Sequence, residues 1–462
     1  MRPGIELKGK RVLVVGLART GVATAMFCAL RGARVTATEE REAAQLGDTP
    51  QKLRNAGCVL ELGGHLPATF LQQDLIIPSP GIPSTHPGLV AARSSRIPIW
   101  SELELAWRFL RGRMVAITGS NGKTTTTALI AHILSATGAP VVLAGNIGVP
   151  LISRVGESSE TSIAVVEASS FQLELIDSLR PDVGILLNLT PDHLDRHASF
   201  EEYGRAKARL FENQIETDAA VLNADDSAVT QYAPAKPQVF WFSRTRHVAE
   251  GAYVRDGRIF FAREGQHTEL LSREDVALRG EHNLENVLAA ASAAFLLGAA
   301  PTAIAAAVRS FPGVEHRLEF VAEIGGVSFF NDSKATNVDA TLKALEAFPG
   351  GLLVILGGKD KGSDYALLAE PLRSRAREVF LIGAAAEKIA SQLGDAVHVE
   401  RAGTLERAVA SAFAHARPGE IVLLAPACAS FDQFENFEHR GRVFKSLVHQ
   451  LQTAGAAAGS KR

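Results

Sequence analysis

The chain has 462 residues, 46% of them hydrophobic, and a net charge of −2. That length calls for two or three domains with well-buried cores, and the charge balance offers no polybasic surface for nucleic acid or an anionic membrane. Cys28, Cys58 and Cys428 are too few and too scattered for a disulfide framework and include no CxxC pair, which fits a reducing cytoplasm.

The first ten residues hold no apolar run and do not read as a signal peptide. Residues 11–16 (Arg-Val-Leu-Val-Val-Gly) read as a buried strand. Gly16-Leu-Ala-Arg-Thr-Gly21, an apolar helix to Leu30 and a second strand over 35–38 follow. This is the start of a dinucleotide-binding unit with a defective fingerprint. Ala18 stands where a glycine would let the backbone approach a pyrophosphate. The defect disfavours bound NAD and favours a nucleotide-diphosphate substrate lodged on the same turn. Thr38, Glu39 and Glu40 lie at the strand end where a ribose would be held. A strand over 75–77 ends in the rigid turn Pro78-Ser-Pro-Gly-Ile-Pro83, at the sheet edge where α/β folds bind ligands.

A change of composition over 107–113 marks a first boundary. The next stretch is a β-branched strand over 115–118, the turn Gly119-Ser-Asn-Gly-Lys123-Thr124-Thr125, and a helix over 124–136. Such a turn presents backbone N–H groups and the positive helix end to an anion. Lys123 adds charge for the outer phosphates, and the Thr124 hydroxyl can hold Mg²⁺. Ile117 occupies the place of the first glycine of the longer phosphate-loop spacing, so the turn is a shortened one. It reads as an ATP site.

Strands over 141–143, 163–166 and 183–187 then end in Gly145-Asn-Ile-Gly148, Glu167-Ala-Ser-Ser-Phe-Gln172 and Asn188-Leu-Thr-Pro-Asp-His-Leu-Asp195. Polar residues concentrated after three strands of one domain mark an active-site edge rather than structural scatter. Short alternating pieces over 238–242 and 258–261 predict a small antiparallel sheet to the side. Gly280-Glu-His-Asn-Leu-Glu-Asn286 opens an Ala-rich segment with Asn283 and Asn286 on one helix face. Residues 287–308 carry no charge, but Gly298 and Pro301 split them into two core helices, so no membrane span is read. After a linker over 311–317, strands over 327–330, 352–356, 378–382 and 421–424 form another βα series. Three of their ends carry Asn331-Asp-Ser-Lys-Ala-Thr-Asn337, Gly357-Gly-Lys-Asp-Lys361 and Ala425-Pro-Ala-Cys-Ala-Ser-Phe-Asp432. The tail from about 452 is expected to fray.

In this order, the motifs at 119–124, 145–148, 167–173, 192–195, 282–286, 316–317, 331–337 and 426–434 resemble the Mur ligase family over nearly the whole chain. The resemblance implies an α/β protein of three domains. Residues 1–107 form a Rossmann-like domain for UDP. Residues 108–312 form a P-loop ATPase-like domain with a mostly parallel sheet. Residues 313–462 form a Rossmann-like domain for D-glutamate and part of ATP. It implies a cytoplasmic, monomeric ligase that uses ATP and two Mg²⁺ ions to join UDP-N-acetylmuramoyl-L-alanine to D-glutamate through an acyl phosphate. A free carboxylate forms no amide at useful rates because oxide is a poor leaving group, and phosphorylation removes that obstacle.

The same resemblance assigns residues. Lys123, Glu167, His193 and a carbamylated Lys207 serve catalysis; Thr124, Glu167, His193 and Lys207 hold metal. ATP is held by Gly119, Ser120, Asn121, Gly122, Lys123, Thr124, Thr125, Asn283, Asn286, Arg317 and Asp332. His193, Lys334, Thr336, Lys361, Ser430 and Phe437 meet D-glutamate. Leu17, Ala18, Arg19, Thr20, Thr38, Glu39, Gly81 and Asn146 meet the UDP substrate. Three rival readings were weighed. His193 and His197 at helical spacing suggest a zinc pair, but Asp192 and Asp195 beside them and the lack of a third soft ligand oppose it. A folate polyglutamylator lacks a reason for the UDP-type N-terminal domain. A non-catalytic nucleotide sensor leaves the acid and lysine clusters at several strand ends unexplained.

Overall fold

The computed structural model describes residues 3–146, 148–193, 196–278 and 280–459, with side chains as far as Thr453. Ile147, Leu194 and Asp195, which belong to two of the sequence motifs, lie outside the described residues. The chain forms two compact units, Met1–Val276 with Glu285–Phe311, and Ala277–Leu284 with Pro312–Arg462.

The first unit holds two sheets. Four parallel strands lie in the order Val59–Leu62, Arg34–Glu39, Arg11–Val15, Leu75–Pro78. Alternation along Arg11–Val15 sends Val12 and Val14 into one apolar cluster and Leu13 and Val15 into another with Phe70 and Leu89. Both faces are therefore covered, as a parallel sheet requires. The N-terminal strand lies between the Arg34–Glu39 and Leu75–Pro78 strands. Strand order reverses there, and the Gly16–Arg19 turn, Glu39 and Ser79–Gly81 meet at that crevice. Gly21 makes this packing possible, since a Cβ there would stand 1.8 Å from the Gly16 carbonyl oxygen.

The second sheet has nine strands, with Arg113–Thr118 flanked by Val183–Leu186 on one side and Ile163–Glu167 on the other. The antiparallel part expected beside this sheet is continuous with it. Ala219–Asn223 and Gln238–Ser243 extend the parallel run, and Gly251–Arg255, Arg258–Arg263 and Gln266–Ser272 finish the same edge. Alternation alone fixed the strand type at Gln238–Ser243 but not its partner, which the parallel register with Ala219–Asn223 supplies. Helices Glu281–Leu296 and Pro301–Ser310 are separated where Gly298 and Pro301 predict. Among the described residues no helix is long and apolar enough to cross a membrane.

The second unit is built on six strands in the order Glu319–Ile324, Val327–Asn331, Ile421–Leu424, Leu352–Gly357, Ala376–Ile382, His398–Gly403. All pairs are parallel except the first. The final helix runs Phe437–Gly459, through the stretch expected to fray, because its alanine-rich end has the highest helix propensity. Cys28, Cys58 and Cys428 are buried free thiols.

One buried acid in the first unit is under-satisfied. Helix Glu102–Phe109 starts at Ser101, whose hydroxyl caps the Glu104 amide at 3.3 Å. Glu102 beneath it takes one hydrogen bond, from the Ile152 amide at 2.6 Å, and its other oxygen has no hydrogen-bond partner among the described residues. Burial pushes this carboxyl from 4.5 up to about 7. The folded chain thus keeps a proton that the unfolded chain has already released, so stability falls as pH rises between those values and stays lower above them. The variant Glu102→Gln is expected to match the parent near pH 4.5 and to exceed it by up to about 3 kcal/mol at pH 8, read from urea unfolding at both pH values.

Candidate active site

The loop after Arg113–Thr118 is shaped by its glycines and held by its neighbours. Gly119 and Gly122 adopt φ of 146° and 83°, which L side chains rarely take. A Cβ on Gly122 would also stand 2.2 Å from Asn286 Oδ1. Asn286 Oδ1 accepts from the Thr126 hydroxyl at 3.2 Å, which ties the helix Glu281–Leu296 to this loop. Asn188, just past the adjacent strand, pairs reciprocally with Asn121. Its Oδ1 accepts the Asn121 amide at 2.8 Å and its Nδ2 donates to the Asn121 carbonyl at 3.0 Å. The Ser120 hydroxyl donates to the Thr190 carbonyl and accepts from the Thr190 amide, both at 2.9 Å. Ser120 and Asn121 are thereby anchored from outside the loop, and helix Lys123–Ala136 begins with its positive end at the loop mouth.

Two lysine side chains converge on one carbonyl of this loop. Lys123 Nζ donates to Gly119 O and Ser120 O, each at 2.8 Å, and Lys207 Nζ donates to the same Gly119 O at 2.8 Å. Lys207 is 2% exposed. It reaches the loop from helix Phe200–Ala208 and lies 4.5 Å from the centre of the Tyr203 ring. Burial first, and repulsion from Lys123 second, hold the Lys207 amine well below the usual lysine range; Asp192 and Glu167 oppose the shift. Glu167 ends the neighbouring strand, buried, with Oε1 accepting from Asn146 Nδ2 at 3.1 Å and Oε2 without a hydrogen-bond partner among the described residues. A buried carboxylate oxygen without a hydrogen-bond partner among the described residues is a donor that suits a hard divalent cation.

His193 carries φ of 55°, an uncommon conformation for a non-glycine residue, and its ring meets Phe171 edge-on at 5.0 Å. His197 turns away from it into the interior, 3.0 Å from the Ser170 hydroxyl and stacked on Phe171, so the two imidazoles do not form a pair. Arg196 lies over the other side of this cluster, 4.5 Å from the Phe171 ring, and donates to the carbonyls of Gly81, Pro80 and Ile82. The Pro78–Pro83 turn is thus tied to the segment that carries His193.

At the N-terminal sheet the acid after the second strand is occupied by the turn itself. Glu39 accepts the Leu17 amide at 2.7 Å and two hydrogen bonds from the Arg41 guanidinium, and these hold its carboxyl at about 2 against the cost of burial. Thr38 is fully buried and bonded to His65 Nδ1 at 2.8 Å. Arg19 donates to the Gly148 carbonyl at 2.6 Å, beside Asn146. Leu17, Ala18, Arg19, Thr20, Glu39 and Gly81 therefore share one sheet edge, and Thr38 lies beneath it.

In the second unit a single buried cation organises the strand ends. Arg440, with no exposed surface, donates to the Ser333 hydroxyl at 3.0 Å, the Ser333 carbonyl at 2.9 Å and the Cys428 carbonyl at 3.2 Å. Ser333 in turn donates to the Phe437 carbonyl at 2.8 Å. Segments 331–337, 425–430 and the start of the last helix are locked together in this way, and Lys334 is placed 3.8 Å over the Phe437 ring. Burial lowers the Arg440 guanidinium to about 10. Ser430 is buried with a hydroxyl that lacks a hydrogen-bond partner among the described residues. Lys361 is exposed at the end of the next strand, and Thr336 is half-buried. Arg317 sits between His316 and Leu318, both at positive φ, and faces Asp332, whose carboxyl is pushed up to about 7 by burial despite that arginine. Asn283 is buried one helical turn before Asn286.

Sequence reading had not singled out Asn188, Arg196 or Arg440 for any role. Asn188 was inside a quoted motif. Arg440 had a readable signal, since it stands four residues before Phe444 and eight before Val448, both fully buried on the same helix stripe.

A mostly parallel α/β sheet whose strand Arg113–Thr118 runs through a glycine turn with Lys123 and Thr124 into a helix is the architecture of a P-loop nucleotide-binding domain. The family models agree. That of the MurD-like N-terminal domain of Mur ligases matches residues 10–101, the Mur ligase middle domain residues 117–294, and the Mur ligase glutamate ligase domain residues 316–428. The chain belongs to the Mur ligase family. It is 54% identical over 457 residues to the UDP-N-acetylmuramoylalanine–D-glutamate ligase of Acidobacterium capsulatum, covering 98% of this chain and 99% of that one. Its identity to the ligase of the same name from Koribacter versatilis is 49%, over 97% of this chain and 99% of that one. Among solved structures, the UDP-N-acetylmuramate-alanine ligase of Thermotoga maritima superposes with a TM-score of 0.60 at 20% identity, covering 96% of this chain and all of that one. The MurF ligase of the same organism, solved with ADP, gives 0.60 at 18% identity over 97% of both chains. These two show the fold.

The Arg440→Met variant is expected to lose on the order of 2–5 kcal/mol of stability, because two buried carbonyls and a hydroxyl lose their donor together. Chemical unfolding followed by tryptophan-independent far-UV dichroism measures it.

Proposed function

We propose that this chain is an ATP-dependent amide ligase that adds D-glutamate to UDP-N-acetylmuramoyl-L-alanine, releasing ADP and phosphate, in the synthesis of the peptidoglycan precursor. The observation that carries the reading is the pair of lysine side chains, Lys123 and the buried Lys207, fixed on one carbonyl of a phosphate loop beside a buried, under-coordinated Glu167. Full-length relatives with that activity in their names support it.

In this reading the loop amides from Gly119 to Thr125 bind the phosphates of ATP, Asn283, Asn286, Arg317 and Asp332 serve its nucleoside and outer phosphate, and Lys123 neutralises the γ-phosphate as it passes to the acceptor carboxylate. Thr124, Glu167 and His193 are the residues that would hold Mg²⁺, which supplies charge neutralisation between two anions when bound. The resulting acyl phosphate is attacked by the amine of D-glutamate, and the tetrahedral adduct expels phosphate. Lys334, Thr336, Lys361, Ser430 and the Phe437 region take the two carboxylates of D-glutamate, which is why a cation rests on the Phe437 ring and a hydroxyl is left without an internal partner. Leu17–Thr20, Glu39, Gly81 and Asn146 hold the UDP-muramoyl substrate. Glu39 acts there by fixing the turn through Leu17.

Lys207 fits a further step. A buried amine kept neutral is nucleophilic. Its nitrogen attacks the carbon of CO₂, loses one proton to solvent and becomes a carbamate, an anionic oxygen ligand for a second Mg²⁺.

Two outcomes test these assignments. Phosphate release should require ATP and both substrates together, and Lys123→Ala should lower it at least about a hundredfold with an unchanged unfolding midpoint. Release without either acceptor would instead favour a simple nucleotidase. Enzyme prepared free of CO₂ should lose activity and regain it with bicarbonate, while Lys207→Ala stays inactive under both conditions. Full activity in both tests removes the carbamate.

A further inference from the structure

The second unit carries a group of metal-type ligands that the ligase chemistry leaves unused. It lies at the opposite end of the strands from Gly357, Lys361 and Ser430. His398 opens the edge strand His398–Gly403 and stands across from Glu378 in the parallel register. Glu400, two residues further, emerges on the same face as His398. His415 closes helix Leu405–His415 and returns to this edge. Its Nδ1 lies 3.1 and 3.0 Å from the two Glu378 oxygens, and His398 Nε2 lies 3.5 Å from Glu378 Oε1. One ligand atom each from Glu378, Glu400 and His415 fit within 4.8 Å of one another.

The charges of this group do not balance by themselves. The Glu378 side chain is 6% exposed. Among the described residues its only side-chain hydrogen bonds come from His415. The Arg377 guanidinium is 4.0 Å away and directs its donors elsewhere, to Glu420 at 2.8 and 2.9 Å and to the His415 carbonyl at 2.6 Å. With neutral imidazoles, two carboxylates would face each other inside one small space, one of them buried, at an electrostatic cost. A divalent cation removes the cost and turns every neighbour into a ligand. Mixed imidazole and carboxylate donors select Zn²⁺ or a similar transition ion and disfavour Mg²⁺. Second-layer contacts are in place as well, because Arg377 fixes the backbone of His415 and the Phe380 ring lies 6.0 Å from its imidazole.

The geometry points to a transition-metal site formed by Glu378, Glu400 and His415, with His398 beside Glu378 at its rim, of the Zn²⁺ class, which clamps the edge strand and the end of helix Leu405–His415 to the Ala376–Ile382 strand. It is separate from the Mg²⁺ ligands of the phosphate loop.

The test uses the full chain with any polyhistidine tag removed, in buffer containing Mg²⁺, titrated with Zn²⁺ and separately with Co²⁺. One Zn²⁺ per chain should bind with a Kd of roughly micromolar or tighter, raise the unfolding midpoint, and give visible Co²⁺ absorption bands. Variants His398→Asn and Glu400→Gln, at exposed and half-buried positions where folding is not at stake, should each weaken Zn²⁺ by about tenfold or more, and His415→Asn should abolish the Co²⁺ bands. Undiminished affinity in the three variants overturns the proposal, since the ion then binds other histidines. Absence of bound Zn²⁺ at concentrations about a hundredfold above micromolar overturns it too, and leaves the cluster as internal hydrogen bonds alone.

Discussion

An anion-binding loop must turn its amides outward, so it cannot hold itself together with them. In this chain Asn188 meets that constraint from the next strand. Its amide group replaces, on both the N–H and the C=O of Asn121, the partners that a regular element would have given. Ser120 and Thr190 repeat the solution one residue earlier. With two residues anchored from outside, the glycines on either side take conformations that no other residue accepts easily, and Lys123 is left to face the loop mouth. Everything assigned to phosphate chemistry depends on this external grip.

The second unit solves a related problem with the opposite tool. Several segments proposed to meet D-glutamate follow strand tips, where carbonyls have no sheet partner. One buried guanidinium collects them. Arg440 satisfies Ser333 and Cys428 with a planar fork that an ammonium could not spread so widely. Its hydrogen-bond partners are neutral oxygens, and burial lowers its proton affinity even though Asp432 and the Cys428 thiol pull the other way. The charge is a fixed scaffold here, whereas Lys334 in the same segment rests its ammonium on the Phe437 ring.

Much of this was legible in the chain. The strand, glycine turn and helix at 113–136 announce themselves through composition and period, as do the polar ends of the strands at 163–167 and 183–186. The family-like motifs carried the rest of the site. What stayed hidden depends on partners distant in sequence. Glu39 reads as a ribose ligand because of its place after a strand, yet the turn it serves, at Leu17, becomes its neighbour only once two strands pair. Short strands such as Val59–Leu62 and His398–Gly403 are half-exposed and lack the apolar run that marks a buried one. The edge of the central sheet showed its alternation but not its attachment, since period reveals a strand's faces and never the identity of its neighbour. Arg440 lies on the apolar stripe of Phe444 and Val448, so its burial was legible, but the carbonyls it meets were not.

The carbonyl of Gly119 receives two lysines, and the fold bears the cost of keeping one of them, Lys207, buried away from water. Replacing Lys207 with an apolar side chain would remove that cost together with the hydrogen bond to Gly119, so this position sets desolvation against a contact that shapes the loop.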